Sequence, residues 1–502
     1  MLLASLPGVA QRINPITKAV LDGYTEIIRE NPKDYETLYQ RAVQYYNLSL
    51  YDQALADAEA ALRYTPEKNN AILREQEYSL LSDIYIQQKQ YEKAFDAVSK
   101  ALALEPDSYA NTYKLGNVCL YLNKPEEAYA AFKTMQRMKS RSQEAFFGMA
   151  RASIMLGNKS EAESLMKEAE NADPSNYLTY CRLGDLCQEL GEPEKAATNY
   201  LAAYSMANDP RRPLESLVDL SRKSPDAVNR ALDYAISRSD SKLPLYYMKA
   251  SLSLESGNYR DAENAAQALL KLPDGLDASV YRMLALSQHA QQRHEEAAAN
   301  MDMAIKYRPD SENEVIKAGI LLATDPRAAL EYTEKAVRLD ADYVPALITG
   351  AKANIMLGNG DKALALLNSA VMIDPGNLEA LTLRGYVNSN LLNDGKLGVM
   401  DYQRAAAGES DAFPEFAYQA LAKAKAGKQL DGDAIIEKAL AADSGKDACY
   451  YAAVYYAQTG RLDKSVEMAG RAISQGFQNN YLLYESKEPG FNLQPIRHML
   501  KQ

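Results

Sequence analysis

Six prolines recur behind amphipathic, mostly alanine-rich stretches: Pro32 in ENPKDY, Pro66 in RYTPEK, Pro106 in ALEPDS, Pro174 in NADPSN, Pro309 in KYRPDS and Pro375 in MIDPGN. Pro32 to Pro66 is 34 residues, and Pro106 to Pro174 is 68, twice that period. Proline closes a helix because it lacks the N–H and clashes with the preceding turn. Within each period the apolar residues fall at helical spacing in two stretches, separated by a short turn containing Gly, Asn or Pro. The unit is therefore helix, turn, helix, turn. A single helix pair cannot hide its own apolar face, so successive pairs must stack, and no single globular core is expected. The 502 residues contain 47% hydrophobic and 25% charged side chains, with Gly 25 and Pro 20, which fits a chain folded throughout.

The pattern resembles the tetratricopeptide repeat family, whose unit has large aromatic, small and alanine residues at fixed places before a closing proline. A unit begun at Tyr35 puts Leu38, Ala42, Tyr45, Ala54, Ala58, Ala61 and Pro66 on those places. One begun at Glu75 supplies Tyr78, Leu81, Ser82, Tyr85, Ala94, Val98, Ala101 and Pro106. Units from Tyr109, Gln143 and Tyr177 continue the run, and others follow at Leu243, Ala278, Val344 and near Lys446. The resemblance implies an all-α solenoid, a right-handed superhelix of about 11 to 13 repeats, with the first helix of each pair on the concave side.

Departures from the pattern mark the divisions. Residues 1–34 form an N-terminal segment with a capping helix, 35–210 a first array and 211–242 an irregular joint, because the three prolines in 209–242 argue against a good first helix. Residues 243–390 form a second array, 391–480 divergent repeats, and 481–502 a C-terminal capping helix. Met1 to Ala10, MLLASLPGVA, reads either as the end of an export signal with a small-x-small cleavage site or as a plain helical cap broken at Pro7 and Gly8. The first reading places the protein in a bacterial periplasm, the second in the cytoplasm.

The resemblance also implies which positions face the groove. They are occupied by Tyr39, Val43 and Tyr46; Asp83 and Ile86; Tyr113 and Asn117; Phe147 and Arg151; then Asp185, Tyr247, Lys352, Tyr386, Tyr450 and Val454. Aromatic rings offer contact area at little entropy cost, and Asn or Arg can bond a peptide backbone or a carboxylate, so the set suits a protein or peptide partner. Several of these tyrosines can equally pack against neighbouring helices. One subgroup of the family grips a C-terminal carboxylate with Lys, Asn and Arg; only Asn117 and Arg151 match it here, and Asp83 places a negative charge where the anion would go.

Other functions find little footing. Lys+Arg 56 against Asp+Glu 67 gives a formal charge of -11, with no global attraction to nucleic acid. No apolar run approaches the roughly 20 residues of a membrane-spanning helix. There is no GxxxxGK(S/T) loop, HExxH or GxSxG motif; GNGDK at Gly358 to Lys362 lacks the spacing. Of three histidines, His289 and His294 are five apart, so on one helix they point in different directions and share no metal. Cys119 and Cys187 fall on core positions of their units, and four cysteines are too sparse for a disulfide framework or zinc site. No cofactor or metal is expected. A tyrosine-rich surface (Tyr 35) also suits sugar stacking, but the Trp that sugar-binding relatives carry is missing, since Trp is 0. The reading is a non-catalytic protein-interaction scaffold that binds an extended peptide or a helix in its groove, with a glycan-binding solenoid of a bacterial envelope as the alternative and an enzyme as the last.

Overall fold

The computed structural model describes residues 14–408 and 414–500. These residues form two compact units, one reaching Leu217 and the other starting at Val218. Among the described residues the architecture is all-α, a solenoid of thirteen consecutive helix pairs preceded by the helix Pro15–Glu30. Met1 to Ala10, the signal-like stretch, lies outside the described residues.

Local chemistry sets the helix ends. Asp34, Ser108, Ser142 and Asn377 each accept a hydrogen bond from the backbone N–H three residues on, satisfying a donor that the first turn leaves free. The turn inside several pairs is closed by one left-handed residue, including the non-glycines Ser49, Lys89, Asn123 and Gln292. Packing then follows the small residues. Ala54, Ala58 and Ala61, Ala94 and Ala101, Ala162 and Ala169, and Ala196 and Ala203 are all fully buried, so the two helices of a pair lie close together. A large ring fills the space left between neighbours. Phe132 packs so tightly on Gly116 and Gly148 that a Cβ there would come within 2.6 and 2.4 Å of ring atoms, and Gly184 meets Tyr200 in the same way at 2.4 Å.

The first unit holds five complete pairs, from Tyr35–Asn47 with Tyr51–Tyr64 to Tyr177–Glu189 with Pro193–Met206. In the joint, residues 211–223 are helical, contrary to the sequence expectation: Arg211–Lys223 pairs in sequence with Pro225–Arg238. Pro210 precedes the first helix and Pro213 sits in its first turn, while Pro225 opens the second, all places where the missing N–H has no helical partner to lose. The boundary between the compact units falls inside Arg211–Lys223.

The second unit runs through seven pairs, from Leu243–Glu255 with Tyr259–Leu269 to Lys446–Gln458 with Leu462–Ser474. Its last pair returns to its first. The Lys446 ammonium donates to the Ser256 carbonyl, and the Asn479 amide donates to the Tyr259 hydroxyl at 3.3 Å. Residues 480–500 are not one capping helix. They comprise the short helix Asn480–Tyr484, an irregular stretch, the 3-10 turn Gln494–Ile496 and the short helix Arg497–Leu500. Pro489, Gly490 and Pro495 interrupt any longer helix, and Phe491, Leu493 and Ile496 are instead buried in the core of the last repeats.

Candidate functional site

Three successive first helices of the first unit share a recess of about 110 Å³. Tyr113, Asn117 and Leu120 come from Tyr109–Tyr121; Glu144, Phe147 and Arg151 from Gln143–Met155; and Arg182, Asp185 and Glu189 from Tyr177–Glu189. Spacings of three, four and seven residues put each trio on one helix face. Phe132, from the helix Pro125–Met138, forms part of the lining and meets the Tyr113 ring edge-on with centroids 6.3 Å apart.

The charges in the recess are unevenly matched. Arg151 pairs with Glu189 at 2.9 Å, and Arg212 approaches Asp185 at 3.8 Å. Asp185 also accepts from the Tyr200 hydroxyl at 2.7 Å. The Arg182 guanidinium lies over the Phe147 ring, 4.0 Å from its centroid, and no carboxylate of the described residues forms an ion pair with it. Burial pushes this guanidinium below its usual range, with Tyr113, Glu144 and Asp185 acting the other way. Burial likewise raises the Glu189 carboxyl, against the opposing pull of Arg151.

Five of the residues expected from the sequence thus meet in one place: Tyr113, Asn117, Phe147, Arg151 and Asp185. Phe147 is only 3% exposed, so its role is to carry Arg182 rather than to offer a free ring face. Arg182 itself was not anticipated, because the repeat pattern does not mark its position as groove-facing. The available signal was its place three residues before Asp185 on the same helix.

The other expected positions are dispersed. Asp83 is neutralised by Lys114 at 2.6 Å, and that lysine also donates to Ser79, so the negative charge noted in the sequence is internally paired. Tyr39 borders a broad depression with Gln40, Asn70 and Ile72, while Tyr46 lies against Tyr51 with ring centroids 5.8 Å apart. Tyr247 packs against the core formed by Ala250, Val280 and Leu284. Tyr450 and Val454 are core residues rather than groove residues.

Lys352 and Tyr386 are on the inner face of the second unit, but that face is already occupied by the chain's own C-terminal segment. Lys352 makes ion pairs of 2.5 Å with both Glu379 and Glu488. These two carboxylates hold its ammonium well above the usual lysine range against the opposing effect of burial. The Tyr418 hydroxyl donates to Glu488 at 3.0 Å, and its ring stacks on Phe491 at 4.1 Å. Gly490 lies against the Tyr386 ring. His294 meets Glu485 at 2.8 Å and His289 at 2.9 Å. The two histidines are not on one helix: His289 closes Ala278–Ala290 and His294 opens His294–Tyr307, and the turn between them, with Gln292 left-handed, folds the rings together. Among the described residues no group of three or more His, Cys, Asp or Glu is arranged to hold a metal ion. Cys119 and Cys187 are buried, which raises their thiols to about 11. No described helix is long and apolar enough to cross a membrane.

Profiles of the tetratricopeptide repeat match residues 78–108, 113–177, 177–210, 247–312 and 321–385. Among curated proteins, human protein O-mannosyl-transferase TMTC3 is 22% identical over 339 residues, covering 62% of this chain and 36% of that protein. Mouse superkiller complex protein 3 is 27% identical over 118 residues, 24% of this chain and 7% of its own length. The chain therefore spans well under half of either relative. Among solved structures, YrrB, described as a TPR protein with an unusual peptide-binding site, aligns at TM-score 0.30 and 22% identity over 38% of this chain and 96% of its own. Naa15/Naa10 bound to HypK-THB aligns at TM-score 0.35 and 15% identity over 91% of this chain and 78% of its own. From the repeat matches along its length and the helix pairs they describe, this chain belongs to the tetratricopeptide repeat family.

Proposed function

We propose that the protein is a non-catalytic interaction scaffold whose first unit holds an extended segment or a helix of a partner protein, with an acidic group of that partner on Arg182. The observation that carries this reading is the Arg182 guanidinium: half-buried, seated over Phe147 and without a carboxylate ion-pair partner among the described residues. A guanidinium partly removed from water gains most from a bidentate carboxylate, and Asn117 and Tyr113 stand beside it to bond a peptide backbone. Cationic coverage of the Phe147 ring leaves that ring unable to serve as a sugar platform, which favours a protein ligand over a glycan.

Selection of displayed peptides on the immobilised full chain tests the reading. Acidic sequences should be enriched, and Arg182→Gln should weaken the selected peptides about tenfold, in keeping with a charge-assisted hydrogen-bond pair of about 1.5–3 kcal/mol. Enrichment of sequences without acidic residues, or equal binding by a folded Arg182→Gln variant, would sink it.

A further inference from the structure

The inner face of the second unit is filled by a segment of the same chain, and its contacts are those of a bound peptide. From Tyr481 to Asn492 the segment crosses the first helices of successive pairs, touching His289, Lys352, Tyr386, Tyr418 and Gln458 in order. Glu485 is taken by His294, and Glu488 by Lys352 and Tyr418 together. Phe491 stacks on Tyr418, and the Asn492 carbonyl accepts from Gln458 at 2.7 Å. Side chains of the solenoid thus read a spaced pattern, Glu-x-x-Glu-Pro-x-Phe, as a groove reads an extended ligand.

The C-terminal end of the segment is held differently from its middle. Leu493 and Ile496 are fully buried and belong to the hydrophobic core of the last repeats, which makes them an anchor. Between residues 485 and 490 the hold on the inner face is mostly polar. A cavity of about 290 Å³ remains beside Lys487, Glu488 and Pro489, walled on the solenoid side by Leu286, Ile316, Ile320 and Met356. Gly476 and Gly490, with φ of 89° and 66°, lie before and within the segment as left-handed positions. A stretch held by polar contacts at Glu485 and Glu488, with an incompletely filled space beside it and a firm anchor at one end, is the part of a fold that opens before the rest.

We infer that the second unit is a peptide receptor kept closed by its own ligand: the strap Glu485–Phe491 occupies the inner face reversibly, and an external protein segment carrying Glu-x-x-Glu-Pro-x-aromatic competes for Lys352, Tyr418 and His294. Tethering gives the strap a high effective concentration, so an isolated competitor gains access only when the strap is weakened or the competitor is linked to a second contact. This inference does not depend on the recess in the first unit, and neither test outcome bears on Arg182.

Hydrogen exchange on the unaltered full-length protein is the first measurement. Amides of residues 485–490 should exchange at least tenfold faster than those of 493–496. Equal protection of the two stretches would make the strap a fixed part of the core and overturn the inference. The second measurement uses a labelled peptide of residues 481–493 and fluorescence anisotropy. The double variant Glu488→Gln, Phe491→Ser, shown to be folded by circular dichroism, should bind it at least tenfold more tightly than the unaltered protein. A peptide bearing the same two changes should not bind. A folded variant that leaves the native peptide unbound overturns the inference, as does one that binds both peptides alike.

Discussion

His289 links a single ring to the stability of the second unit. Burial, and after it the charge of His294, lowers its imidazole from the usual value to about 3. In the folded protein it stays neutral, while in the unfolded chain it takes a proton below about pH 6.5. The unfolded state therefore binds the extra proton, so this contribution is complete above pH 6.5 and is lost progressively as pH falls toward 3. Between pH 7 and 5 the loss should be about 2 kcal/mol, read as a lower urea midpoint. His294 and Tyr481 face the same ring, and Glu485 bonds His294 behind it, so the control is His289→Gln, which should flatten the pH dependence; an unchanged slope in that variant would refute the assignment. At Gly184 the limiting quantity is space. Its Cβ would meet the fully buried Tyr200 ring at 2.4 Å, so Gly184→Ala should cost about 1–3 kcal/mol by overpacking, measured by urea unfolding.

The helix Arg211–Lys223 shows how an element can be hidden by its own prolines. Leu217 and Leu220 lie three apart and are buried at 0% and 2%, giving this helix an apolar stripe like its neighbours. Leu217→Ala should therefore destabilise the protein by about 2–5 kcal/mol, an effect that a loop position would not show; a cost under 1 kcal/mol would argue against the packed helix. The regular pairs were legible because Ala54, Ala58 and Ala61, and their equivalents in later units, are small for a packing reason that repeats with the sequence. Pro213 misled because proline forbids helix interiors but not first turns. Of the recess, Tyr113, Asn117, Phe147, Arg151 and Asp185 could be read from their place in the repeat, whereas the stacking of Arg182 on Phe147 joins two helices 35 residues apart in sequence. The C-terminal segment was illegible for a related reason. Its partners at Lys352 and His294 lie 136 and 191 residues away, and no periodic signal encodes such a contact.

At the scale of the molecule the two units obey different rules. Among the described residues of the first unit, each pair meets its sequence neighbours. Its stability is a sum of local terms, as in other stacked repeats. The second unit adds the meeting of Lys446 with Ser256 and the C-terminal segment laid across its first helices, so its pairs are tied together. Copy number is consequently constrained in one half of the chain and free in the other. Removing residues 109–142, one full period of the first unit, should leave a folded protein with a shorter stack. Excising residues 344–377 removes the same length from the second unit, but it also shifts the register that brings Lys446 back to Ser256 and takes away Lys352. Circular dichroism and urea unfolding of the two deletions should show a cooperative transition for the first and its loss for the second unit of the other. Gain and loss of repeats, the ordinary route by which such chains change length, is thereby open to the first unit and closed to the second.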